Sequence, residues 1–209
     1  MLSIVRRRLV GLLVLCAIGP LAACIMEGGG SAPTSVSVGD QMTVAGPSGY
    51  CVDTSASRTG DSGAFVLLGS CASLSQSLIA ARPKYPAILT ASVSGGGPDA
   101  ETFKASFPSM AKFLSSTAGR AALSRNGKAA SVEIAQIGSA GDAMTIRATD
   151  TAAAPGQNVE PEYWRALMTI KGQIVTLTVM GLKDKPLSSE VKRALLDAFI
   201  ARVRAVNAG

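Results

Sequence analysis

Apolar and polar positions alternate or recur along most of the chain from about residue 40, and the two periods place strands and helices. Asp40–Ala45 and Tyr50–Asp53 read as short strands separated by the turn chemistry of Gly46-Pro47-Ser48-Gly49. Thr54–Gly63 is polar and reads as a loop. Ala64–Leu68 is a continuous apolar run and predicts a buried central strand. Leu74–Ala81 predicts a turn or two of helix, and Ala87–Ser94 a strand ended by Gly95-Gly96-Gly97-Pro98. Over Ala100–Leu123 the apolar residues Phe103, Phe107, Met110, Ala111, Leu114 and Ala118 recur at three- and four-residue steps. Pro108 inside this helical face predicts two segments, or a helix starting at the proline, with Gly119 as a stop.

The second half reads as two hairpins and a helix. Ser131–Ile137 and Ala143–Thr149 alternate about a Gly138–Asp142 turn, after which Asp150–Pro161 is a loop of small residues. Tyr163–Ile170 places Trp164, Ala166, Met168 and Ile170 on one face and Tyr163, Arg165, Leu167 and Thr169 on the other. Ile174–Met180 alternates again after Lys171-Gly172-Gln173. In the last element Ser188 or Ser189 is the cap, and Glu190 and Arg202/Arg204 suit the two ends of the helix dipole. Val191, Leu195, Ala198, Phe199, Val203 and Val206 are its expected buried stripe. Strands and helices segregate rather than alternate strictly. The expected class is α+β, an antiparallel sheet covered by helices in a sandwich-like arrangement.

The N-terminus carries different information. Arg6, Arg7 and Arg8 precede an apolar run, Leu9–Ile18, that suits a signal-peptide core and is too short to span a bilayer. Pro20 then precedes Leu21-Ala22-Ala23-Cys24. This string resembles the lipobox of bacterial lipoproteins. The resemblance implies diacylglyceryl transfer to the Cys24 sulfur, cleavage before Cys24 and acylation of the new amine. It assigns residues 1–23 to a signal peptide. Ile25 stands where an aspartate would favour inner-membrane retention, which points to the outer membrane, facing the periplasm. Glu27 to about Val38 is rich in Gly, Ser, Pro and Thr, so residues 24–38 read as a flexible tether and 39–209 as one globular domain.

Removing the signal changes the composition. Three arginines and no acid leave, so half of the formal charge of +6 belongs to the signal. The remainder gives no concentrated basic face of the kind nucleic acid requires. Of the four cysteines, Cys16 departs and Cys24 takes the lipid. Cys51 and Cys71 then pair as a structural disulfide, stapling an N-terminal hairpin.

The chain has no histidine, and so lacks the usual general base, zinc ligand and triad partner. Gly60-Asp61-Ser62-Gly63 resembles the nucleophile motif of chymotrypsin-type proteases, but Ala64 and Phe65 depart from it and no histidine can serve the serine. Ser109 and Lys112 have dyad spacing without companion motifs, and read as a helix cap and a solvated lysine. Gly95–Gly97 lacks the rest of a P-loop. Glu160 and Glu162 are calcium-ligand types without loop spacing to support them. No cofactor or metal is therefore expected. Lys183, Lys185, Lys192, Arg193, Arg202 and Arg204 gather positive charge near the terminal helix and form a candidate basic contact face, for a solvated surface, an acidic partner or anionic lipid.

Over residues 85–206 the order hairpin, hairpin, long helix is similar to that of PsbP-like and DcrB-like domains, in which helices sandwich an antiparallel sheet. That resemblance implies an accessory envelope protein without catalysis of its own; the Cys51–Cys71 part lies outside it. The expected function is a lipid-anchored, non-catalytic binding or accessory module with an envelope protein partner. A small-ligand or lipid carrier and a histidine-free hydrolase are the alternatives.

Overall fold

A computed structural model describes residues 31–39, 42–60, 63–152 and 158–209. The signal segment, Cys24, Asp61 and Ser62 lie outside the described residues. The fold is α+β and built in three layers. Its centre is an antiparallel sheet made by β3 (Tyr50–Val52), β4 (Arg58–Gly60), β5 (Gly63–Ser70), β6 (Ala87–Ser94), β7 (Val132–Ala140), β8 (Ala143–Asp150), β9 (Val159–Ile170) and β10 (Gln173–Leu182). The strands lie in the order β3-β5-β6-β10-β9-β8-β7, with β4 also on β5. A separate hairpin, β1 (Ser35–Val38) with β2 (Met42–Ala45), packs outside it.

Alternation decides which side chains face which layer. Val66, Leu89, Leu177, Val179, Trp164, Ala166 and Met168 point to the side covered by α5 (Ser189–Asn207) and the β1–β2 hairpin. The central row Val66–Ala91–Leu177–Ala166 alternates large and small residues across four strands. The alanines give depth for Leu196, Phe199 and Val203 of α5, all fully buried. Met144, Ile146, Ala148 and Tyr163 point the other way, to α3 (Phe107–Ser115) and α4 (Thr117–Leu123). These helices follow α2 (Ala100–Ala105).

Several expectations are corrected. The tether assigned to 24–38 ends earlier, because Ser35–Val38 is a strand paired with Met42–Ala45. Cys71–Leu74 forms a one-turn helix, α1, and the chain then turns instead of continuing as helix to Ala81. The 100–123 region is three short helices, with Pro108 in the first turn of α3. Gly119 does not stop a helix: it sits inside α4, where its missing Cβ lets the backbone approach Phe113 and Leu114. The β7–β8 turn is tighter than Gly138–Asp142, because Gly138, Ser139 and Ala140 pair with Thr145, Met144 and Ala143. Strand β9 begins four residues earlier than expected and includes Pro161. A register shift against β10 accommodates the proline's missing donor.

Cys51 and Cys71 are bridged. Cys51 lies in β3, and Cys71 directly follows its neighbour β5, so the bond staples this hairpin as expected.

Candidate functional site

Two periodicities meet where β9 passes under the start of α5. Along β9, Glu160, Glu162 and Trp164 are two residues apart and share the α5 side. Along α5, Ser189, Lys192 and Arg193 are three and four residues apart and share the facing stripe. Lys192 is 2% exposed. Its Nζ lies 3.2 Å from Glu160 Oε2 and 2.9 Å from Glu162 Oε1. Arg147 on β8 completes the cluster, donating from Nη2 to Glu162 Oε2 at 2.7 Å. Glu160 also accepts the Leu187 backbone N–H, fixing the segment that leads into α5. Burial pushes the Glu162 carboxyl up, but hydrogen bonds from Lys192 and Arg147 outweigh it and hold the pKa below the usual glutamate range.

One turn earlier, the Trp164 Nε1–H donates to Ser189 Oγ at 2.9 Å. The Arg193 guanidinium lies 5.0 Å from the indole centroid and donates to Asp197. Ser188, rather than Ser189, is the N-cap and accepts the Val191 N–H. A shallow cleft of about 390 Å³ opens beside Trp164, Arg147, Ser189 and Arg193. The cluster is a clamp: it neutralises its own charges and binds helix to sheet.

This overturns the single basic face. Lys192 is buried between two glutamates, Arg193 is held by Trp164 and Asp197, and Arg204 is paired with Asp142 on the β7–β8 turn. Arg202, Lys183 and Lys185 are exposed. The buried stripe of α5 is also rotated from the expected one. It runs through Lys192, Leu195, Leu196, Phe199, Ile200, Val203 and Asn207, while Ala198 faces solvent. The Asn207 side chain accepts from the Thr43 N–H and donates to the Thr43 carbonyl, joining the helix end to β2 as a strand neighbour would.

The candidate chemistry is dispersed. Ser109 is exposed, and its hydroxyl donates to the Ser106 carbonyl at 2.7 Å. Lys112 lies on the wall of a groove between β7 and the helices α3 and α4. Arg165 faces away from Trp164, over the Tyr163 ring at 5.0 Å, and donates to Thr178. Burial lowers the Arg165 guanidinium pKa, with Tyr163 opposing the shift. The interface of α5 with the sheet is filled by Leu196, Phe199, Leu177 and Met168, which counts against a ligand cavity there. No helix of the described residues is long and apolar enough to cross a membrane.

Two features carry no signal in residue type or period. Asp150, at the start of the expected 150–161 loop, is fully buried and accepts the N–H groups of Arg125 and Ala152 at 2.6 and 2.9 Å. Burial raises its pKa, but those hydrogen bonds win and the net shift is downward. The second is the outer edge of β7. Among the described residues β7 pairs only with β8. Its other side opens on a groove of about 730 Å³ against α3 and α4, walled by Lys112, Ser115, Arg120, Glu133 and Ala135. Arg120 braces the helix wall by donating to the Ser115 carbonyl. A bulge at Ala135 interrupts the β7–β8 register.

No family model, curated protein or solved structure matches the chain.

Proposed function

We propose that this is a lipid-anchored domain of the bacterial cell envelope, tethered through acylated Cys24, facing the periplasm from the outer membrane. On this reading it works by binding another envelope protein. The lipobox-like string supplies the anchor. The Cys51–Cys71 bridge suits the oxidising compartment to which such a signal leads.

The observation that carries a binding role is the outer edge of β7, which has no strand partner among the described residues. An edge strand beside a helix-walled groove can accept an extended segment by strand addition. Main-chain hydrogen bonds then give affinity and the groove reads side chains. The edge also lies far from the point where the described chain enters the fold. Ser31, Ala32 and Pro33 enter the fold beside Val52, next to β3, and Val52 donates to the Pro33 carbonyl. From β3 to β7 the sheet crosses six strand spacings, about 29 Å at about 4.8 Å each.

Site-specific photo-crosslinking in intact cells tests this. A probe at Ala135 is expected to give a discrete adduct with an envelope protein, and a probe at Arg202 none. Equal adduct patterns from both positions, or none from Ala135, would defeat the binding edge.

A further inference from the structure

We infer that the loop joining α1 to β6 is a second membrane contact: Leu78 and Ile79 insert into the bilayer surface, and Arg82, Lys84 and Lys185 meet anionic headgroups. The inference rests on the lipid-anchored reading and adds an orientation to it.

Leu78 is 89% and Ile79 98% exposed. Two adjacent aliphatic side chains at a loop tip gain nothing from the domain itself, but they fit the boundary between headgroups and acyl chains, about 5–10 Å deep. The loop beneath them is built to project. The Cys51–Cys71 bridge fixes its start, and Cys71 donates to the Gly49 carbonyl. Ala72 donates to the Ala81 carbonyl and Ser77 to the Ala72 carbonyl, closing the base around the tip. Gly49, at φ +84°, lies so close to Pro83 that a Cβ there would meet its nitrogen at 2.4 Å. The exit of the loop is thereby seated as firmly as its start.

The chain enters at the same place. Ser31–Pro33 border Ser73 and Leu74 of α1. Even fully extended, residues 24–32 span only about 30 Å. An acylated Cys24 therefore holds this end of the domain within about 30 Å of the membrane, whereas the β7 edge can lie up to about 29 Å farther away. The charges agree. Arg82, Lys84 and Lys185 are exposed and, among the described residues, none is ion-paired. Arg82 and Lys185 line one cleft of about 460 Å³. Asp53, kept ionised by hydrogen bonds from Ser55 and Ala56, shares that cleft and offsets one of its two cations, so the balance there is net positive by one. Basic groups around an apolar tip match an anionic bilayer better than they match a second copy of the same basic surface.

The test uses the full mature lipoprotein in phosphatidylcholine–phosphatidylglycerol vesicles with brominated acyl chains. Ile79→Trp places a reporter on the tip, and Ser139→Trp places one by the far hairpin turn. Buried Trp164 is a constant background. The Ile79→Trp emission should shift to the blue and lose most of its intensity on brominated lipid, while Ser139→Trp stays unquenched. Quenching at neither position, or equally at both, overturns the inference. A blue shift without bromine quenching also overturns it, because the tip then meets protein. The two readings fail separately. Unlipidated Cys24 by mass spectrometry with Ile79→Trp still quenched defeats the anchor alone. Lipidated Cys24 with Ile79→Trp unquenched defeats the loop contact alone.

Discussion

Lys192 places an ammonium on a helix face that is otherwise Leu195, Leu196, Phe199, Ile200 and Val203, and only Glu160 and Glu162 make that tolerable. Lys192→Ala removes the ammonium the two carboxylates share and leaves a void, while Glu162 keeps Arg147 and Glu160 keeps the Leu187 N–H, so denaturant unfolding should show a loss of about 2–3 kcal/mol, below that of a fully uncompensated buried charge. Lys192→Met keeps the volume, and Arg147 still serves Glu162, so the loss should be smaller. Acid sensitivity follows from the same contacts. The folded pKa of Glu162 is depressed, so its contribution is complete above the usual carboxylate range and fades as the pH falls through the folded value. Below that range the stability of the native chain should fall more steeply than that of Lys192→Met; parallel acid profiles would show that Lys192 is not the cause. Sequence alone puts Lys192 within three and four residues of Leu195 and Leu196, which is the signal that it lies on the buried face. Polarity argues the reverse, and only the position of β9 decides between them. Asp150 is harder still, since its partners are backbone N–H groups that leave no trace in residue type.

At the scale of elements, period and punctuation were legible wherever an element has one solvated side. Strands β6, β8 and β10 and the helix α5 stand close to their expected limits. Strand β7 shows what periodicity cannot carry. Ile134 and Ile137 are an odd number of residues apart, so simple alternation puts them on opposite faces. The bulge at Ala135 shifts the phase, and both pack against the α3–α4 side. Gly119 is a similar case. A glycine near the end of a helical pattern usually marks a stop, but here it marks a close approach between helices. Gly119→Ala should raise helix propensity by about 1 kcal/mol. Its Cβ would nevertheless meet Phe113 O at 2.1 Å and Leu114 Cα at 2.4 Å, both backbone atoms. Thermal unfolding should therefore show net destabilisation, of about 1–3 kcal/mol as for an overpacked core. A stabilised variant would mean that α3 and α4 do not pack this closely.

At the scale of the molecule, the α+β class and the stapled hairpin were readable because segregation of strands from helices and the parity of cysteines are properties of the chain. The order of strands, the outer β7 edge and the projecting 75–80 loop were not, because they depend on which hairpin lies beside which. The bridge closes a loop of 20 residues. Cys51→Ser with Cys71→Ser should lower stability by about 3 kcal/mol and leave the β7 groove, on the far edge, unchanged in its crosslinking. Leu78→Asp with Ile79→Asp should leave solution stability within about 0.5 kcal/mol, since neither side chain is packed. On the proposed reading the molecule has two ends: β3, beside the apolar tip and its basic neighbours, would face the membrane, and β7, at the other end of the sheet, would face the partner. The anchor itself rests on Cys24. Intact and peptide mass spectrometry of the membrane-extracted protein tests that most directly. A mature chain that begins at Cys24, with a thioether-linked diacylglycerol and an acylated amine, is the predicted result. A chain that retains residues 1–23, or begins elsewhere with a free Cys24 thiol, would contradict the account.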